Sequence, residues 1–185
     1  TAHQVLDGYT QVIFPMADPD EGDAIYWYEP TMRGIILPDE FHIPKNLKKL
    51  YLKHPFELRI NSNFRLCMEN CSKRDETWIS EEIVEVYSGV NKMGFGFSFE
   101  AWLDGEMVGG LYGIAMGKVF FGESMFHTAT NASKIALVYL VDWLKIHGFI
   151  LLDCQFINEH LLQFGAKEVP QKEFLELLSE ALSEI

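Results

Sequence analysis

Positive charge, cysteine and long apolar runs are all scarce in this 185-residue chain. Fifteen Lys and Arg stand against 27 Asp and Glu, a formal net charge of −12. That balance argues against a general nucleic-acid binder, because phosphate contacts require clustered cations. Three cysteines cannot all pair, and Cys67 and Cys71 sit four apart with no CxxC and no nearby His to complete a zinc site. Reduced structural thiols are expected, and no metal. No apolar run reaches the ~18 residues of a membrane span, and the start TAHQVLDGYTQ has neither a basic n-region nor an apolar h-region. A cytoplasmic protein without a membrane partner is therefore expected. What the chain does have is apolar mass: 48% hydrophobic and 14% aromatic residues, enough for one domain with a sizeable core, with or without a smaller lobe.

The few cations are not spread evenly. Between Arg33 and Arg74 nine basic residues meet four acidic ones, so the rest of the chain is more acidic still. In PKNLKKLYLKHP, Lys45, Lys48, Lys49 and Lys53 recur at i, i+3, i+4 and i+8, which on a helix gathers four ammonium groups along one stripe. The stripe is either a solvated helix face or a confined polyanion site on an acidic body.

Punctuation and periodicity divide the chain. A short helix capped by Thr1 precedes the turn-rich FPMADPDEGDA, then strand-like IYWYEP and RGIILP. A helix over about 44–53 carries the lysines, FELRINS reads as a strand and NFRLCMENCSK as a helix. SEEIVEVYSGVNKMG has Ser80 as N-cap, two glutamates in the first turn and Gly94 as a stop. The period then changes to two. FSFEAWL, Asp104-Gly105 and EMVGGLYGIAM spell a hairpin, with KVFFGESMF as a third antiparallel strand. Glycines 109, 110 and 113 leave room for a close backbone, a ligand or a bulge. Residues 131–147 form a clear helix ended by Gly148, and the strand FILLDCQF beyond it suits a parallel crossover. A short helix NEHLLQF, a return segment AKEVP and an amphipathic last helix complete the chain.

Several polar residues stand where apolar ones would be expected. Glu123 and Ser124 interrupt an apolar strand, and alternation in LLDCQF sends Asp153 and Gln155 to one face. Buried carboxylates and amides need partners. Glu123 alone would fit a core acid bonded to backbone N–H groups, and one polar strand residue would fit a satisfied network. Four of them in two strands point to a site. Leu111, Met125, Leu137 and Leu152 fit either the core or a slot for an unbranched apolar group. Trp78, Trp27 and Tyr28 fit either packing between lobes or stacking on a base.

Taken together, VIFP, YWYEP, ETWI, VGGLYG, GESMF, NASKIAL, LLDCQ and FGAKEVP resemble the leucyl/phenylalanyl-tRNA–protein transferase family, in order and over nearly the whole chain. The element order is likewise that of an acetyltransferase-like (GNAT) α+β fold with a mixed sheet flanked by helices. The resemblance implies a small, shortened N-terminal lobe over 1–40 and a catalytic domain over 41–185. It implies transfer of leucine or phenylalanine from charged tRNA to the α-amino group of proteins beginning with Lys or Arg, which marks them for N-degron proteolysis, with no cofactor. Matched residue by residue, it assigns Asp153, Gln155 and Glu123 to the reacting centre and Leu111, Met125, Leu137 and Leu152 to the side-chain pocket. Trp78 is assigned to the terminal adenosine; the charge map fits that assignment, with the stripe of Lys45, Lys48, Lys49 and Lys53 as a local landing surface for the tRNA acceptor stem. Met16 stands where the family has a second tryptophan.

Such a reaction exchanges an ester for an amide and needs mainly alignment and proton removal. Asp153 is expected to accept the proton or anchor the amine, Gln155 to hold its orientation, and Glu123 to hold the acceptor's cation. Two alternatives carry different chemistry. One is a coenzyme-A-dependent N-acyltransferase, although TATNASK lacks the glycine-rich phosphate turn. The other is a non-catalytic binder of basic N-termini.

Overall fold

The computed structural model describes residues 1–75 and 77–183. Helix α1 (Ala2–Thr10), capped by the Thr1 side chain on the Gln4 N–H, leads into an antiparallel ribbon of β1 (Phe14–Asp18) and β2 (Ala24–Tyr28). Next come β3 (Met32–Ile36), α2 (Lys45–Leu52), β4 (Glu57–Ile60), α3 (Phe64–Ser72) and α4 (Glu81–Lys92). The meander β5 (Gly96–Leu103), β6 (Glu106–Met116) and β7 (Val119–His127) follows, and α5 (Ala132–Ile146) crosses to β8 (Leu151–Gln155). The chain closes with α6 (Glu159–Leu162), β9 (Lys167–Pro170) and α7 (Gln171–Leu182).

Seven strands form one mixed sheet in the order β4-β5-β6-β7-β8-β3-β9. β7 and β8 run parallel, and every other neighbouring pair is antiparallel. The period-two patterning explains the layers. Ile35, Tyr112, Phe121 and Leu151 face a core built with α1, α3, α4 and α7, while their neighbours Ile36, Leu111, Phe120 and Leu152 face α2 and α5. The hairpin between β5 and β6 turns at Asp104 and Gly105, with φ of 52° and 80°, the primed-turn geometry that Asp-Gly favours.

One expectation is corrected here. FPMAD, read as part of a turn-rich stretch, is strand β1. Its full register with β2, from Phe14 opposite Tyr28 to Asp18 opposite Ala24, holds it extended despite Pro15.

Two irregularities position the site. β7 and β8 pair from Val119 opposite Leu151 only as far as Phe121 opposite Asp153, so the parallel strands part beyond that point. In β7, Tyr112 of β6 faces Ser124 while Gly113 faces Gly122, which leaves Glu123 as the extra residue of a bulge. β8 is bulged too, since Gly34 faces Gln155 and Ile35 faces Asp153, leaving Cys154 unopposed.

Candidate active site

A cavity of about 330 Å³ opens where β7 and β8 separate. Its apolar wall contains all four residues singled out for a side-chain slot: Leu111, Met125, Leu137 and Leu152. Leu140 and Leu161 complete that wall. Both were missed because only the docking of α5 and α6 shows which turns of those helices face inward. The polar wall carries Glu123, Ser124 and Gln155, and Met16, Trp78 and Arg74 stand on the side of α3 and β1. Met16 and Trp78 are tied together, since the Ala17 N–H donates to the Trp78 carbonyl at 3.1 Å. The Arg74 guanidinium is braced by the Cys71 carbonyl at 2.9 Å and the Ser124 hydroxyl at 2.6 Å.

The bulge aims Glu123 into this space. The Tyr9 hydroxyl donates to its carboxyl, and the Gln155 amide donates to the other oxygen at a long 3.4 Å. The hydroxyls of Tyr9 and Tyr87 are bonded at 2.7 Å. Burial pushes the Glu123 carboxyl from an ordinary value of 4.5 up to about 8; the neighbouring Asp153 charge adds to the rise, while Tyr9, Gln155 and Arg33 oppose it. The Tyr112 hydroxyl, buried and on the same cavity, has no partner among the described residues.

Asp153 does not face the cavity. It is wholly buried and accepts a fork from Arg33, with Nε to Oδ1 at 2.9 Å and Nη2 to Oδ2 at 2.6 Å. Its Oδ1 also accepts the Gln155 backbone N–H at 2.9 Å. Gln155 thus meets Asp153 through its backbone N–H, while its side-chain amide turns to Glu123. Strict alternation fails because Cys154 bulges and Gln155 adopts a left-handed φ of 62°. Gly34 permits this turn, since a Cβ there would lie 2.9 Å from the Phe156 carbonyl carbon. Arg33 lies 120 residues from Asp153, and nothing in its local pattern marks it as a partner.

The remaining candidates lie elsewhere. Trp27 and Tyr28 do not line the cavity: the Trp27 ring lies against Gly8, and Tyr28 stacks on Phe14 with centroids 6.3 Å apart. Trp27 thus packs on α1 and Tyr28 within the ribbon itself, both partly exposed. Lys45, Lys48, Lys49 and Lys53 are all exposed on and just beyond α2, outside the cavity. A second, smaller hollow of about 180 Å³ joins α2 residues Asn46, Leu47 and Leu50 to Asn131 and Lys134 at the start of α5, the helix whose Leu137 lines the main cavity. Among the described residues no helix is long and apolar enough to cross a membrane, and no cluster of three His, Cys, Asp or Glu could hold a metal ion.

Comparison with known proteins gives consistent matches. Residues 35–179 match the family model described as leucyl/phenylalanyl-tRNA protein transferase, and residues 1–31 match the model of that transferase's N-terminal domain. A leucyl/phenylalanyl-tRNA–protein transferase of Herpetosiphon aurantiacus is 52% identical over 179 residues, covering 96% of this chain and 92% of the relative. One of Akkermansia muciniphila is 50% identical over 188 residues, covering 100% and 97%. Solved structures are more distant: a functionally unknown conserved protein of Staphylococcus epidermidis gives a TM-score of 0.49 at 12% identity, over 75% of this chain and 57% of that one.

Proposed function

Because the chain belongs to the leucyl/phenylalanyl-tRNA–protein transferase family, and is accordingly an aminoacyl transferase, we propose that the cavity between β7 and β8 is where the aminoacyl ester of a charged tRNA meets a protein's N-terminal amine. Membership sets aside the coenzyme-A and purely binding alternatives. The supporting observation is the cavity's two-sidedness: one wall of five leucines and Met125, the other carrying Glu123 and Gln155. We read the surrounding sheet as acetyltransferase-like, on the strength of the antiparallel meander, the crossing helix and the parallel strand that parts from its neighbour.

The donor's leucine or phenylalanine side chain fills the aliphatic wall, and its adenine ring lies against Trp78, with Met16 beside it. The acceptor's amine approaches from the polar wall. Gln155 turns its Nε2 toward Glu123, so its carbonyl oxygen is placed to accept an amine hydrogen. The amine attacks the ester carbonyl, the C–N bond forms, and the C–O bond to the ribose breaks with a proton delivered to the leaving oxygen. Glu123, held at about 8, matches an α-amine with a pKa of about 7.7–8.0, so a proton passes between them at little cost. Asp153 acts at one remove, by fixing Gln155.

The acidic body attracts acceptors beginning with Lys or Arg, and the α2 lysines together with Lys134 offer the acceptor stem a basic path to the cavity. Single-turnover transfer of labelled leucine from tRNA to an Arg-starting peptide tests the assignment. Gln155→Ala and Glu123→Gln should each slow transfer by about 10²-fold, the scale of a lost acid–base or aligning group. Transfer at the wild-type rate in both variants would sink it.

A further inference from the structure

The geometry points to Arg33 as a positioning residue that sets the transfer rate through the two donors of Glu123. This inference rests on the reading of Glu123 and Gln155 as the groups that meet the acceptor amine. Arg33 is itself 1% exposed and touches neither the cavity nor any group placed at the reacting centre other than Asp153.

Every face of its guanidinium is used. Nε and Nη2 form the fork to Asp153, Nη1 donates to the Val12 carbonyl at 3.2 Å, and its Cζ lies 5.0 Å from the Phe14 ring centroid and 4.6 Å from that of Phe174. Two residues thereby held have left-handed backbones, Val12 at φ 69° and Gln155 at φ 62°. A β-branched residue with such a φ is an outlier, and both conformations persist only where surrounding contacts over-determine them. Arg33 reaches Val12 directly, and Gln155 through the Asp153 oxygen that accepts the Gln155 N–H.

These two strained points stand next to the hydrogen-bond donors of Glu123. Val12 accepts at the end of the turn that leaves α1, where its N–H donates to the Tyr9 carbonyl, and Tyr9 donates to Glu123 from one side. Gln155 donates from the other. One cation thus fixes both arms that hold the cavity's carboxyl. A lysine would keep the charge but lose the planar fork whose three separate nitrogens reach both Asp153 oxygens and the Val12 carbonyl.

A structural salt bridge would be replaceable by apolar residues of similar volume without loss of fold; a positioning device would not be replaceable without loss of rate. The full chain carrying Arg33→Met with Asp153→Leu separates the two. Three readings are taken: the thermal midpoint, affinity for the aminoacyl-adenosine mimic puromycin, and single-turnover leucine transfer. The expected result is a folded protein that binds puromycin within about twofold of wild type but transfers about 10²-fold more slowly, the penalty typical of an ångström-scale misplacement. A folded double variant with a wild-type transfer rate overturns the inference. Should the double variant fail to fold, Arg33→Lys decides by the same split, and a cycle with Gln155→Ala adds a second criterion. Positioning through Gln155 requires the two losses to be strongly non-additive, whereas independent, additive losses overturn it. A wild-type rate in Gln155→Ala alone would instead remove the reading of the cavity on which the inference stands.

Discussion

Glu100 and Glu123 are carboxylates in β5 and β7 of the same sheet, and they are treated in opposite ways. Glu100 is wholly buried and accepts from the Asn63 N–H at 3.0 Å, the Ser98 hydroxyl at 2.6 Å and the Trp102 indole at 2.9 Å. It lines no part of the cavity. Glu123 has the Tyr9 hydroxyl and one long amide contact, faces open space, and keeps its proton up to about 8. A saturated carboxylate is a joint between a loop and a sheet. An under-supplied one at a cavity wall is poised for an incoming cation. Asp153 stands between them, saturated like Glu100 yet coupled to the cavity through Gln155.

The largest effect should come from that intermediate case. Asp153→Ala strands the buried Arg33 cation and should cost about 3–5 kcal/mol in a urea titration; a loss within ordinary surface range would mean that the pair does not carry its desolvation as described. Next, Glu100→Ala leaves three donors without an acceptor and should cost about 1–3 kcal/mol. The molecules that remain folded should transfer at the wild-type rate, and a rate loss would erase the distinction between joint and site.

Glu123→Gln sharpens the comparison through pH. The folded carboxyl holds its proton to about 8 while the unfolded one releases it near 4.5. Its contribution to stability is therefore complete below the unfolded value and is lost as pH rises through the folded one. Wild-type melting should fall relative to the variant across that window, at about 2–4 °C per kcal/mol, and parallel melting curves would refute the raised value. The smallest effect belongs to a charge the fold does not feel. Lys48→Ala should leave stability within about 0.5 kcal/mol and lower the slope of log affinity for charged tRNA against log salt by about one. An unchanged slope would take α2 out of the RNA path.

What was legible in the sequence was whatever depends on neighbours along the chain. Asp104-Gly105 announced its hairpin, Ser80 and Gly148 their helix ends, and the period-two run from Phe97 its strands. Leu111, Met125, Leu137 and Leu152 were singled out together and do share one cavity. The illegible part depends on partners across the sheet. A bulge exists only relative to the opposite strand, so neither the swing of Glu123 nor the break at Cys154 showed in the spacing. Arg33 gave no signal for the same reason, because the residue that explains its burial lies on another strand. β1 was obscured because Pro and Asp are turn formers until a second strand satisfies them.

The outermost strands of the sheet, β4 and β9, each have one neighbour and therefore present a rim of backbone to solvent. That rim carries Glu57 and Arg59 on one side and Lys167, Glu168 and Pro170 on the other. Alternating charges and a residue with no N–H make poor templates for an added strand. By their chemistry alone, both rims are unfavourable ground for an incoming strand of a second copy.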